Sequence, residues 1–173
     1  MAIREALLVE LAMETAATRK VLERLPEDKL DWKPADKSMT MSRLATHLAE
    51  MPSWGVHALT MDELDINPPG GEPYQPVELG SVAEILELFD ANVAKLLATL
   101  ESTSDDDFKR PWTLKNAGVE IFTEPKIGVL RGMVMNHSIH HRGQLSVFLR
   151  LNGVPLPAIY GPSADEQMTG GSS

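Results

Sequence analysis

The sequence predicts an all-α protein, a four-helix bundle with one long crossover connection and a short hairpin before the last helix. Three observations carry this. Apolar residues recur at helical spacing in four long segments, and Pro and Gly gather between them, most densely over residues 65–80 with four prolines and three glycines. The 173 residues, 43% hydrophobic, suffice for one well-developed core and are too few for two. A single domain over residues 1–167 is expected, with 168–173, Met-Thr-Gly-Gly-Ser-Ser, as a flexible C-terminal tail.

From about residue 2 to 25, Leu7, Leu8, Leu11, Val21, Leu22 and Leu25 form the apolar stripe of a first helix among Glu, Arg and Lys. Pro26 stops it, and Pro26 and Pro34 bracket a connector in which Leu30 and Trp32 plug the core. Ser38 or Thr40 caps the second helix, where Leu44, His47, Leu48 and Met51 fall at i, i+3, i+4 and i+7. His47 therefore lies inside the apolar stripe. Pro52 removes a backbone donor and is expected to bend the helix or interrupt its bonding, while Trp54, Val56, Leu59, Met61 and Leu64 carry the helical pattern onward.

The crossover ends at Ser81, which with Glu84 makes a capping box. Ile85, Leu86, Phe89, Val93, Leu96 and Leu100 then give a third helix ending near Glu101. Ser104-Asp105-Asp106-Asp107 reads as a solvated connector. Trp112-Thr113-Leu114 and Val119-Glu120-Ile121-Phe122 flank Lys115-Asn116-Ala117-Gly118 as the strands and turn of the hairpin. The fourth helix starts at Glu124 or Pro125 and runs to Leu151, where Asn152-Gly153 closes it. The apolar tail from Val154 to Gly161 is expected to fold back on the bundle.

The last helix carries three of the five histidines. At about 100° per residue, His137 and His141 share one face, a turn apart, with Leu130, Met133, Val134 and Phe148; Arg131, Arg142 and Arg150 are expected on the other side. A buried imidazole needs a partner for its ring nitrogens, and an adjacent pair suits a cation that accepts both lone pairs, although ordinary hydrogen bonds can also satisfy such a pair. With His47 as third ligand, the set makes a candidate three-nitrogen site for a divalent metal, with a position left for water or substrate. Around it, Glu50, His140 and Tyr160 are weak catalytic candidates, and Trp54 and Gln144 are candidates for lining a pocket. Each has a bland reading beside the functional one: Glu50 and His140 as exposed helix side chains, Trp54 and Tyr160 as packing, Gln144 as a partner for neighbouring backbone. His57, beyond Pro52, is expected at the surface.

Composition excludes several classes. A net charge of −9 and a pI near 5 do not suit a nucleic-acid binder, which needs clustered Lys and Arg. Zero cysteines exclude disulfides, zinc-thiolate sites, iron-sulfur clusters and a cysteine nucleophile. The first residues lack the apolar run of a signal peptide, and no stretch reaches the roughly 18 apolar residues of a membrane span, so a cytoplasmic protein is expected.

The segment Leu44-Ala45-Thr46-His47-Leu48-Ala49-Glu50, the run Asn136-His137-Ser138-Ile139-His140-His141-Arg142-Gly143-Gln144-Leu145 and the tail from Gly153-Val154-Pro155 to Glu166 resemble the DinB family of damage-inducible proteins. The resemblance spans nearly the whole chain. It implies a DinB/YfiT-like four-helix bundle, often a homodimer, in which positions matching His47, His137 and His141 bind a divalent metal such as zinc or nickel, with manganese or iron as further options. It also implies a metal-dependent hydrolase or thiol transferase that activates water or a low-molecular-weight thiol toward a small-molecule substrate. The alternative is a non-catalytic metal-binding or ligand-sensing bundle in a stress response. The family name does not name a substrate.

Overall fold

In the computed structural model, which describes residues 3–167, the segments of helical spacing fold as α1 (Ile3–Leu22), α2 (Met41–Thr60), α3 (Val82–Ser102) and a last rod. The expected tail at 168–173 lies outside the described residues. The last rod joins α4 (Lys126–Val129), a π-helical stretch (Leu130–Asn136) and α5 (His137–Leu151) without a break. Thr40 is the cap of α2, its hydroxyl accepting from the Arg43 amide. Ser81 and Glu84 close the capping box of α3, with the Glu84 carboxylate accepting from the Gly80 amide and the Ser81 hydroxyl.

The helix α2 runs through Pro52 to Thr60. One turn earlier, the carbonyl of Ala49 accepts a hydrogen bond from the Asn92 amide of α3 at 2.9 Å, so neighbouring structure takes up bonding capacity near the proline. Gly55 permits the close approach of α2 to α3: a Cβ there would sit 2.8 Å from Leu96 Cδ1 and 3.3 Å from Leu130 Cδ1. One buried cluster gathers Leu22, Leu44, Leu48, Ile85, Phe89, Leu145 and neighbours from all four rods. A second gathers Leu7, Leu11, Leu96, Phe108, Leu130 and Val134. Val154, Leu156 and Ile159 of the tail fold back on the first.

The chain is the expected mostly helical four-helix bundle, and the hairpin before the last helix is extended into a small sheet by a further strand. Among the described residues, β1 (Glu63–Asp65), β2 (Pro111–Asn116) and β3 (Val119–Pro125) lie in the order β1-β2-β3. The expected hairpin is β2 and β3; β1 joins it in parallel, with Leu64 opposite Leu114. Leu64 is thus in a strand rather than in an extension of α2. Lys126, 1% exposed, stops that helix by donating to the carbonyls of Leu59 at 3.2 Å and Met61 at 2.6 Å, while its charge meets Asp62 at 3.0 Å. Leu64 continues the apolar series from Trp54, but its spacing to Ile66, two residues on, is that of a strand, and pairing with β2 takes it there.

The hairpin turn places Ala117 at φ 52° and Gly118 at φ 77°, the two positive values of a type I′ turn. Ala117 pays on the order of 1 kcal/mol for that conformation. Ala117→Asn is expected to raise the melting temperature by about 2–4 °C, since asparagine tolerates the left-handed region. An unchanged or lower melting temperature would contradict a strained Ala117.

A second correction concerns Arg142. Expected on the outer face, it is 2% exposed. Its guanidinium donates to the Glu14 carbonyl at 3.0 Å and the Thr18 hydroxyl at 3.3 Å, pairs with the Glu14 carboxylate at 2.8 Å, and bonds the Tyr160 hydroxyl. The tail covers this face, with the Tyr160 ring 5.1 Å from the guanidinium carbon. No helix among the described residues is long and apolar enough to cross a membrane.

Candidate metal centre

Helix α2 supplies His47 and α5 supplies His137 and His141, and one nitrogen from each ring lies within 4.8 Å of the others. The ring centroids are 4.6 Å apart for His137 and His141, 4.9 Å for His47 and His141, and 5.2 Å for His47 and His137. His137 Nδ1 is 3.3 Å from the Met133 carbonyl, which can only accept, so this nitrogen carries the proton. His141 Nδ1 donates to Gln144 Oε1 at 2.6 Å. Both Nε2 atoms then carry lone pairs, yet they face each other at 2.8 Å. Two facing lone pairs repel unless a cation lies between or beside them. The Nδ1 atom of His47 is buried without a hydrogen-bond partner, 3.9 Å from Glu50 Oε2. The donor set is therefore chemically suited to a divalent ion.

Burial lowers the pKa of all three imidazoles. His47 falls to about 4, through burial first and then the neighbouring His141 and His137; His137 and His141 are also lowered, mainly by burial. At neutral pH the rings are uncharged, the form that ligates metal. For metal-free protein the sign is plain. A histidine whose folded pKa lies below its ordinary 6.5 favours folding above that value, and the contribution is lost as the pH falls toward 4. Urea unfolding of metal-free protein is expected to show about 2–3 kcal/mol more loss between pH 7 and pH 4.5 in wild type than in His47→Ala. Parallel pH profiles for the two proteins would exclude this role for His47.

A model of the DinB superfamily matches residues 10–145. The chain belongs to the DinB superfamily. YrdA of Bacillus subtilis (strain 168) is 27% identical over 153 residues, 88% of this chain and 85% of YrdA, and YjoA of the same organism is 26% identical over 137 residues, 79% and 82% of the two chains. Among solved structures, a DinB-like protein from Bacillus cereus ATCC 10987 superposes with a TM-score of 0.70 at 24% identity, covering 92% of this chain and 98% of its own. YfiT from Bacillus subtilis, described as a probable metal-dependent hydrolase with an unusual four-helix bundle topology, superposes with a TM-score of 0.61 at 19% identity and 87% coverage of both chains. These likenesses show the DinB/YfiT-like fold.

Within this DinB fold the remaining sequence candidates separate. Gln144 orients His141. Trp54 stacks edge-on to His47, with ring centroids 5.4 Å apart, and lies 6.1 Å from His137. His140 is exposed, its ring 5.0 Å from that of His141. Glu50 is not the solvated helix carboxylate of its bland reading. It is 4% exposed, pairs with Arg43 at 2.8 Å, and accepts from the Tyr74 hydroxyl at 3.1 Å and the Val77 amide at 2.7 Å. It thereby ties the crossover to α2 beside His47. Tyr160 does not reach the histidines; its hydroxyl donates to Glu14 at 2.7 Å on the Arg142 side.

Sequence reasoning passed over Arg43 and Tyr74, whose roles depend on Glu50 being buried. It also passed over the π-helical stretch, although such stretches often lie at functional sites. This one places the Met133 carbonyl against His137. Two cavities flank the centre. An open groove of about 370 Å³ reaches His141 and Gln144 past Met39, Val147 and Phe148. On the Trp54 side lies an apolar cavity of about 330 Å³.

Proposed function

We propose that His47, His137 and His141 hold a divalent metal ion and that the protein is a metal-dependent enzyme of the hydrolase or thiol-transferase type acting on a small molecule. The observation that carries the reading is the pair of His137 and His141 Nε2 atoms at 2.8 Å, with the Nδ1 proton of each ring engaged elsewhere. The resemblance to YfiT, described as a probable metal-dependent hydrolase, supports it. Zinc and nickel suit imidazole ligands best, with manganese and iron as further metals to test.

In such a site a divalent ion supplies Lewis-acid activation of a small nucleophile and polarisation of an electrophile. The chain's own residues do the rest. Gln144 and the Met133 carbonyl fix the tautomers and orientations of His141 and His137. Glu50, already engaged by Arg43, Tyr74 and Val77, is a positioning group beside His47 rather than a free base. His140, at the exposed rim, is the candidate to pass protons to solvent. The groove at His141 provides the approach from water.

A non-catalytic bundle in which the ion ties α2 to α5 is the second reading, favoured by the low exposure of His47 at 8% and His141 at 9%. Cobalt-substituted protein separates the two. A visible absorption spectrum that shifts on adding a small thiol or anion marks an open coordination position and supports the enzyme. A spectrum indifferent to both, with no metal-dependent turnover of ester or thiol-acceptor substrates, favours the structural ion.

A further inference from the structure

The cavity on the Trp54 side lies between α2, the sheet and the π-helical stretch. Trp54, Trp112, Leu64, Leu114, Val129 and Met133 make most of its wall, and no Asp, Glu, Lys or Arg lines it. Of the polar groups in its wall, the Trp112 indole N–H is buried without a hydrogen-bond partner, a single neutral donor, and three others are engaged. The Ser53 hydroxyl donates to the Glu50 carbonyl at 2.7 Å, the Tyr74 hydroxyl bonds Glu50, and His57 Nδ1 lies 3.5 Å from Met61 Sδ. A charged ligand would be desolvated there without a countercharge, which is costly, whereas an apolar one gains from leaving water. Two indole rings, a phenol ring and a thioether offer aromatic and polarisable surfaces. At about 330 Å³ the cavity falls within the range of small-molecule sites, which begins near about 300 Å³.

The cavity also abuts the residues that set the histidines. Trp54, on its wall, lies with its ring 5.4 Å from that of His47 and 6.1 Å from that of His137, and Met133, also on its wall, holds His137 through its carbonyl. Ile66 and Tyr74 close it from the crossover, joined by a backbone bond of 2.8 Å from the Tyr74 amide to the Ile66 carbonyl. We infer that this cavity seats the uncharged, apolar body of the substrate, a molecule built on one or two aromatic rings. The assignment of this molecule as a substrate rests on the metal-enzyme reading above.

The test is calorimetric titration with 2-naphthol, neutral at pH 7, and with naphthalene-2-sulfonate, a similar ring bearing a fixed negative charge, in protein whose metal content is measured on the same sample. One saturable 2-naphthol site per chain is expected, with the sulfonate binding at least tenfold more weakly. Leu114→Trp fills the cavity, and Ile66→Arg places a charge at its edge; each is expected to weaken 2-naphthol binding at least tenfold. Val119→Trp, at an exposed position of β3 outside the lining, is expected to leave it unchanged. Melting curves check the fold, and Ile66→Arg, at a half-buried position, carries the test if Leu114→Trp does not fold. No saturable binding to wild type, equal binding by a folded cavity variant, or equally tight binding of the sulfonate would overturn the assignment. One metal per chain without 2-naphthol binding sinks the cavity assignment alone. Saturable binding in a chain that takes up no metal sinks the metal-enzyme reading and leaves an apolar binding site.

Discussion

Wild-type protein is expected to carry about one divalent metal ion per chain, and His47→Ala, His137→Ala and His141→Ala are each expected to lose it. Three imidazoles make the whole donor set among the described His, Cys, Asp and Glu clusters, so removing one leaves two ligands. Metal sites gain on the order of 10 kcal/mol or more from their full ligand set, so the loss of one third lowers affinity by several orders of magnitude. Gln144→Ala should act more mildly, by about 10–100-fold, because it leaves the ligands and removes the group orienting His141. Inductively coupled plasma mass spectrometry on protein purified without a metal-binding tag reads all four variants. Full metal content in His137→Ala would rule out the three-histidine site. So would the failure of wild type to take up zinc, nickel, manganese or iron.

Arg142→Ala is expected to destabilise the fold by about 3 kcal/mol, lowering the melting temperature by about 6–12 °C. The change leaves the Glu14 carboxylate without its cation and with only the Tyr160 hydroxyl as donor, the Thr18 hydroxyl without its donor, and Tyr160 without the cation beneath its ring. The cost arises mainly from the carboxylate left without its countercharge, since breaking one side of a largely buried ion pair costs more than the pair contributes. Metal content should persist, because the guanidinium contacts α1 and the tail rather than the ligands. A shift below 2 °C in thermal unfolding would mean that the ion pair is solvated.

The histidine cluster was legible because its parts are local. His137 and His141 stand four residues apart in a helix marked by its own apolar stripe, and His47 sits at a stripe position of another. Thr40, the Ser81 and Glu84 box and the hairpin were readable for the same reason, since caps and turns are satisfied within a few residues. Glu50 shows where such reading stops. Its spacing from His47 suggested either an orienting group or a solvated carboxylate, and what buries it is a crossover segment 24 to 27 residues away.

The sequence by itself determined the four rods, their main start signals, the inward direction of the three histidines and the membership in a DinB-like family. The tertiary structure alone decided that Leu64 is a strand residue, that Arg142 is buried, that Tyr160 turns away from the centre, and that the last rod passes through a π-helical stretch before His137. The physical reason is range. Periodicity and capping report how a segment satisfies its own backbone and which of its faces is apolar. Which distant segment covers a given face depends on packing and charge pairing across the chain, as Lys126 with Asp62 and Arg142 with Glu14 do here.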